Sequence, residues 1–420
     1  MRKRVGCIMG MVLVLLALRP ALGATVKSRY TDEYFSTVSA LFLHTEDEAA
    51  FDQAWQMVKQ TLEQVEKAVS LSLPESDLSR FNRLACGESC DVSSLTAQLF
   101  QIARAAYEDT DGAYDPTVYP LVDLWGFSPR FNRNTYQPTQ PYDRAYVDGK
   151  LPLPDPAYIE ALTRLVGMET IVLTGDEATG WRLEKNTPPV TAGGCTFQAQ
   201  LDLGGIAKGF ACDLVTERLT QMGFTEGHFV CGGSSISLLS RPEGGDYGLT
   251  LAKPRTGLSS ESYFATVFAR NSRFTCNTTV STSSDANHTY TLDGVIYCHI
   301  IDPRTGYPIN MPEAGEPQRG IASVTLLGPS AAYNDALSTA LCVMGPVAAM
   351  DYVSEGFGDL SAAMVFYETG VENLEVFTNL PKSAFRLEDD AYLRASAPGE
   401  QGEIRYTGSL FNDKENGGVP

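Results

Sequence analysis

The chain is 420 residues long, 43% apolar and 20% charged, which excludes an intrinsically disordered protein and allows a substantial core. With 51 acidic against 32 basic residues, its formal charge of −19 argues against nucleic acid or an anionic membrane as the main partner. A phosphate-bearing small ligand is not excluded, because it needs only one favourable pocket or a metal.

Residues 1–23 carry a targeting signature. Arg2, Lys3 and Arg4 precede an apolar run from Val5 to Leu18, and Ala21-Leu22-Gly23 offers small residues before Ala24. This is the order of a secretory signal, cleaved or retained as a membrane tether, and it predicts an exported protein. No later stretch is long and apolar enough to span a bilayer.

A strand is expected over 37–43. Glu48 to Ser70 follows, with Trp55, Val58, Leu62, Val65 and Val69 spaced three and four apart, as in an amphipathic helix. Further helices are expected over 93–107 and 154–166, separated by a Pro-, Asn- and Tyr-rich surface excursion over 128–156. A helix over 205–222 opens on glycines. Strands are expected over 227–239, 262–269, 290–301, 321–327 and 362–367, with Asp293-Gly294 as a two-residue hairpin signal. Helices over 334–344 and 346–355 interrupt them. Strands and helices do not alternate regularly, so the pattern predicts an α+β fold of mainly antiparallel sheets with surrounding helices. One folded unit, possibly of two intimate lobes, is expected over 30–385, and a flexible polar tail over 388–420.

Export would permit disulfides, and of the eight cysteines beyond the signal only Cys86 and Cys90 lie close enough in sequence to suggest a pair. Cys212, Cys231 and Cys342 read as small buried hydrophobes. The scattered histidines (44, 228, 288, 299) and the lack of paired CxxC motifs argue against zinc.

Four strings carry candidate chemistry, each of which alone also fits ordinary packing. Asp202-Leu203-Gly204-Gly205-Ile206-Ala207-Lys208-Gly209 places glycines and a lysine at a helix start, where free N–H groups suit an anion. It is neither GxGxxG nor a P-loop, so neither of those readings is licensed. Asp335 and Thr339 share a helix face, and a carboxylate, a hydroxyl and nearby carbonyls are hard oxygen ligands of the type Mg²⁺ prefers. His299 precedes an Asp302-Pro303 turn and is the natural general base, its intrinsic pKa lying nearest neutrality. Leu124-Trp125-Gly126-Phe127, following Tyr114-Asp115-Pro116-Thr117-Val118, offers aromatics that can stack on a flat ring.

Taken in order, Leu78 to Asn82, Tyr114 to Val118, Leu124 to Phe127, Asp202 to Gly209, Cys231-Gly232-Gly233, Ser281-Thr282-Ser283, His299 to Gly306 and Asp335 to Thr339 resemble the ApbE family of FAD:protein FMN transferases. The resemblance spans roughly residues 35–350. It implies that Asp202 and Lys208 contact FAD, with Leu124, Trp125, Gly126, Ile300 and Ile301 beside the flavin or its nucleotide. It implies Mg²⁺ held by Asp335, Thr339 and backbone oxygens near Gly205 and Ser338, with His299 as the base. The implied reaction is attack by a Thr or Ser hydroxyl of an acceptor protein, an exported redox subunit in keeping with the signal, on the FMN-side phosphorus, releasing AMP. The chain departs from the family pattern at Ser234, where Asp or Asn is usual, at Ser284, where Gly is usual, and at Phe35-Ser36-Thr37, a reduced form of an early Met-containing element. Two other readings use the same residues: an FAD hydrolase with water as nucleophile, and a non-catalytic FAD-binding or delivery protein.

Overall fold

The structure is a computed structural model that describes residues 16–18, 26–131, 135–239, 247–254, 263–268, 278–286, 288–355, 360–368, 374–388 and 393–396. The basic start of the expected signal and most of the expected tail lie outside these residues, as does Cys276.

In chain order the elements begin with strands β1 (Leu16–Leu18), β2 (Val26–Thr31) and β3 (Ser39–His44). Helix α1 (Glu48–Val69) begins where Asp47 accepts the Ala50 N–H at 2.9 Å, and its three-and-four spacing buries Phe51, Trp55, Val58, Leu62 and Val65 along one side. A short α2 (Asp77–Asn82), strand β4 (Glu88–Val92), α3 (Ser94–Asp109), α4 (Tyr119–Trp125) and α5 (Pro156–Thr163) follow. A hairpin of β5 (Ile171–Asp176) and β6 (Gly180–Lys185) and a minimal one of β7 (Val190–Ala192) and β8 (Cys195–Phe197) lead to α6 (Gly204–Gln221).

The second half supplies β9 (Gly227–Cys231), β10 (Ser235–Leu238), β11 (Tyr247–Ala252), β12 (Tyr263–Phe268) and β13 (Thr279–Ser284). After these come β14 (Thr289–Leu292), β15 (Val295–Cys298), β16 (Arg319–Gly328), α7 (Ala331–Met344) and α8 (Pro346–Ser354). Strands β17 (Ser361–Glu368), β18 (Leu374–Thr378), β19 (Phe385–Leu387) and β20 (Leu393–Ser396) close the described chain.

The architecture is α+β. A nine-stranded sheet runs β2-β3-β9-β10-β13-β16-β17-β18-β20 and is antiparallel except for the last pair. One face carries α1, α6 and α7, and the other carries the sheet β1-β11-β12-β19. Strand β17 shows why its sequence is apolar throughout. Ala362, Met364 and Phe366 enter the helical core, while Ala363, Val365 and Tyr367 enter the core between the sheets. A third, smaller core joins α4, α5 and the β14–β15 hairpin through Leu121, Leu124, Trp125, Ile159, Tyr297 and Ile301.

Several expected elements are divided by glycine. The strand expected over 227–239 breaks into β9 and β10 at Gly232 and Gly233, both at φ +71°, in the left-handed region that glycine adopts without strain. The strand expected over 290–301 becomes the hairpin β14–β15, with Asp293 and Gly294 both at positive φ, as the turn signal requires. The excursion over 128–156 is tied to the protein by Arg130, which pairs with Asp123 at 2.6 Å and Asp143 at 2.7 Å. Cys86 and Cys90 are not bridged, and every described cysteine is a free thiol.

Candidate functional site

The site is built where α6 and α7 cross on the sheet. Asp213 of α6 caps α7, accepting from Ser330 Oγ at 2.9 Å and from the N–H groups of Ala331 and Ala332 at 2.8 and 3.0 Å. One turn earlier on α6, Gly209 lies so close to Ala331 that a β-carbon would collide with its carbonyl. This close approach brings Asp335 onto α6. Its Oδ2 accepts the Gly209 N–H at 2.7 Å, and Ser235 Oγ of β10 donates to Oδ1 at 2.9 Å. Asp335 is 4% exposed. Burial pushes its carboxyl above the ordinary carboxylate range, opposed by the Lys208 charge and by the hydrogen bonds from Ser235 and Gly209.

Hydroxyls gather beside it. Ser283 of β13 lies 2.8 Å from Ser338 Oγ and 2.9 Å from Thr339 Oγ1. Ser338 and Thr339 each donate to the Asp335 carbonyl, at 3.0 and 3.2 Å. A hydroxyl that donates to its own helix keeps its oxygen lone pairs available, so this bonding leaves acceptor capacity facing Ser283.

At the start of α6, Asp202 Oδ1 accepts the Gly204 N–H at 2.7 Å, and its own N–H donates to Pro116 at 2.8 Å. Burial raises its carboxyl pKa, against the Gly204 hydrogen bond and Lys208. Gly204 and Gly205 are exposed at the helix start. Lys208 packs along the Cys231–Ser235 turn: a β-carbon at Gly232 would lie 3.1 Å from its Cδ. Its charge acts on Asp202, Asp335 and His288 together.

His299 is half-buried beyond β15, its ring 5.4 Å from that of His288 in an edge-on arrangement. His288 keeps exposed surface, yet its crowded surroundings, and secondarily Lys208, lower its pKa. The following turn is structural. Asp302 accepts the Arg304 N–H at 2.9 Å and pairs with its guanidinium at 2.8 Å, and the same guanidinium reaches the Val343 carbonyl at the end of α7.

The Leu124–Gly126 stretch is held differently from a stacking platform. Trp125 is 1% exposed, packs against Tyr297 and Tyr307, and donates its Nε1–H to the Gly306 carbonyl at 2.8 Å. The Leu124 carbonyl accepts from Arg144, and Gly126 caps α4 at φ +90°. Ile300 and Ile301 are buried, and the Ile300 carbonyl accepts the Ile309 N–H at 3.0 Å. The structure thus brings Asp202, Lys208, Asp335, Ser338 and Thr339 to the α6–α7 crossing. It places Trp125, Ile300 and Ile301 in packing roles beside the His299 loop.

Sequence reasoning missed His288, Ser235 and Ser283 as site residues. Ser283 had a signal, because it sits in the Ser281-Thr282-Ser283 string. His288 and Ser235 had none: Ser235 meets Asp335 only through tertiary packing, and His288 is related to the site only by the reach of the Lys208 charge. Of the departures, Ser284 is satisfied locally, donating to the Ala322 carbonyl at 2.9 Å and accepting from Ala286. The Ser234 hydroxyl is buried without a partner. A cleft of about 490 Å³ between α3 and the β5–β6 hairpin and another of about 370 Å³ behind the Asp302 turn are lined by none of Asp202, Lys208, His299 or Asp335.

Fold and site together define an α+β protein in which a buried carboxylate and a lysine lie at the crossing of a glycine-led helix with α7, and the lysine's charge acts on one member of an imidazole pair. The chain belongs to the ApbE family, which matches residues 23–364. Among its curated relatives, the FAD:protein FMN transferase of Haemophilus influenzae is 29% identical over 331 residues, 79% of this chain and 80% of the relative. That of Vibrio cholerae is 30% identical over 290 residues, 69% of this chain and 72% of the relative. The solved flavin transferase ApbE from Vibrio cholerae superposes with a TM-score of 0.61 at 25% identity, covering 82% of this chain and 98% of that one. The Pseudomonas stutzeri flavinyl transferase ApbE in its apo form, at 24% identity, shares the fold with a TM-score of 0.62, covering 83% of this chain and 95% of that one.

Proposed function

We propose that this protein transfers FMN from FAD to a Thr or Ser hydroxyl of an acceptor protein, releasing AMP. The observation that carries the reading is the convergence of Lys208, Asp202 and Asp335 on the start of α6, in a chain whose curated relatives are FAD:protein FMN transferases. The exposed Gly204 and Gly205 leave room for a diphosphate at that helix start. In this reading Asp202 accepts from the nucleotide, and Lys208 offsets phosphate charge.

The acceptor hydroxyl attacks the FMN-side phosphorus, and the P–O bond to AMP breaks. His299 takes the hydroxyl proton, and the leaving phosphate carries the displaced charge. The buried Asp335 carboxylate, with Ser338, Thr339 and the backbone near Gly205, forms a hard oxygen donor set that suits Mg²⁺. Among the described residues no cluster of three or more His, Cys, Asp or Glu is ready to hold a metal, so substrate phosphate oxygens would complete the shell. Bound there, Mg²⁺ would neutralise charge developing on the leaving phosphate.

The basic, apolar and small-residue order of residues 1–23 supports export, with acceptors among extracytoplasmic redox subunits; cell fractionation checks this. Incubating the protein with FAD, Mg²⁺ and a candidate acceptor tests the activity. AMP release with FMN-sized mass gain on the acceptor is expected. Free FMN with no modified acceptor would make the enzyme a hydrolase. AMP release that survives Asp335→Ala would remove the metal role.

A further inference from the structure

We infer that the phenol of Tyr114 donates a hydrogen bond to a non-bridging phosphate oxygen of the bound dinucleotide, a positioning contact that rests on the FMN-transfer reading. Tyr114 is fixed from behind. Its N–H donates to Thr110 Oγ1 at 3.1 Å, and Asp115 beside it is locked by the Thr117 N–H and hydroxyl at 2.8 and 2.6 Å. The ring is 4% exposed within the helical core, yet its hydroxyl has no hydrogen-bond partner. A buried hydroxyl without a partner is rare because its desolvation goes uncompensated, so its persistence calls for an explanation.

The hydroxyl faces the start of α6. A β-carbon at Gly205 would lie 3.7 Å from Tyr114 Cε2 and 4.0 Å from the hydroxyl, so glycine keeps that side of the phenol clear. Burial first, then the neighbouring carboxylates of Asp202, Asp115 and Asp335, push the phenol pKa well up. The group therefore keeps its proton and acts as a donor. None of the three carboxylates accepts that proton, which leaves the donor for a ligand. Two of them, Asp202 and Asp335, repel an incoming phosphate; a neutral donor near them gives the anion a contact that adds no negative charge.

Tyr114→Phe removes only the oxygen. The test compares thermal midpoints of the ligand-free proteins with their affinities for FAD and for ADP, which carries the adenosine and diphosphate without the flavin, both in Mg²⁺. The expected result is an unchanged or raised midpoint and a loss of roughly 10- to 100-fold in both affinities. KM for FAD rises accordingly, while kcat at saturation stays within about threefold. Unchanged affinity for both ligands overturns the assignment, as does a lowered ligand-free midpoint, which would make the hydroxyl structural. Wild-type protein that binds FAD but releases no AMP refutes the transfer reading and leaves this contact measurable. Wild-type protein that binds neither ligand refutes both.

Discussion

The Gly209 N–H donates to Asp335 Oδ2 across 2.7 Å at the same point where a Gly209 β-carbon would strike the Ala331 carbonyl. The glycine therefore serves two purposes: it lets α6 and α7 approach, and it presents a main-chain donor to the carboxylate. Gly209→Ala adds helix propensity worth about 1 kcal/mol but forces the helices apart. Overpacking at such a contact costs roughly 1–3 kcal/mol, so the variant is expected to melt lower and to lose Mg²⁺-dependent AMP release. A melt showing a more stable variant would contradict this packing account.

Asp335 is held in the opposite balance. Its carboxyl pKa is raised by burial, so at neutral pH the fold works against the ionised form. Asp335→Asn keeps the shape and removes that cost. The ligand-free variant is expected to be at least as stable as the wild type in urea titration. Stabilisation by added Mg²⁺ and FAD is expected to vanish, and AMP release to fall by roughly 100-fold or more. Retention of Mg²⁺-dependent stabilisation would place the metal elsewhere.

The unequal legibility of the elements follows from these geometries. Helix α1 spans 48–69 against an expected 48–70, because its apolar spacing and the Asp47 cap are both local signals. α6 has no side-chain cap and showed itself instead by its opening glycines. Short α2 was not legible, because six residues are too few to show a helical period although most of them are buried, and β4 was not, because its partner β6 lies far along the chain. Asp335 and Thr339 stood out because helix periodicity places them on one face, and Ser338 entered only through the family resemblance. Ser235 reaches Asp335 from β10, 100 residues away in sequence, through register that no local pattern encodes. The packing of Trp125 was hidden for a related reason. An aromatic beside a glycine suits a stacking surface, but here Tyr297 and Tyr307 from the far end of the chain cover it.

Trp125 consequently supports the His299 loop from beneath. Its Nε1–H is the partner of the Gly306 carbonyl, and its ring fills the third core. Trp125→Phe leaves a void and an unpaired carbonyl, together costing roughly 2–4 kcal/mol. FAD affinity, read by flavin fluorescence, is expected to fall through loosening of residues 299–306. Full affinity with unchanged stability would show that the loop stands without it.

Acid sensitivity is expected from a residue outside the site. His228 on β9 is 1% exposed, stacks on Phe42 at 4.3 Å, meets the edge of Tyr247, and bonds through neither ring nitrogen. Burial, with a smaller contribution from His44, pushes its pKa down to about 3. The unfolded imidazole binds a proton below about pH 6.5, whereas the folded one stays neutral until about pH 3. The unfolded state thus holds more protons throughout that window, so stability is complete above it and falls as the pH drops. At pH 5 the loss attributable to this group is about 2 kcal/mol. His228→Phe keeps the stack and removes the titration, so its urea midpoint is expected to change less between pH 7.5 and 5 than that of the wild type. Equal acid sensitivity in the two proteins would show that other groups set the acid limb.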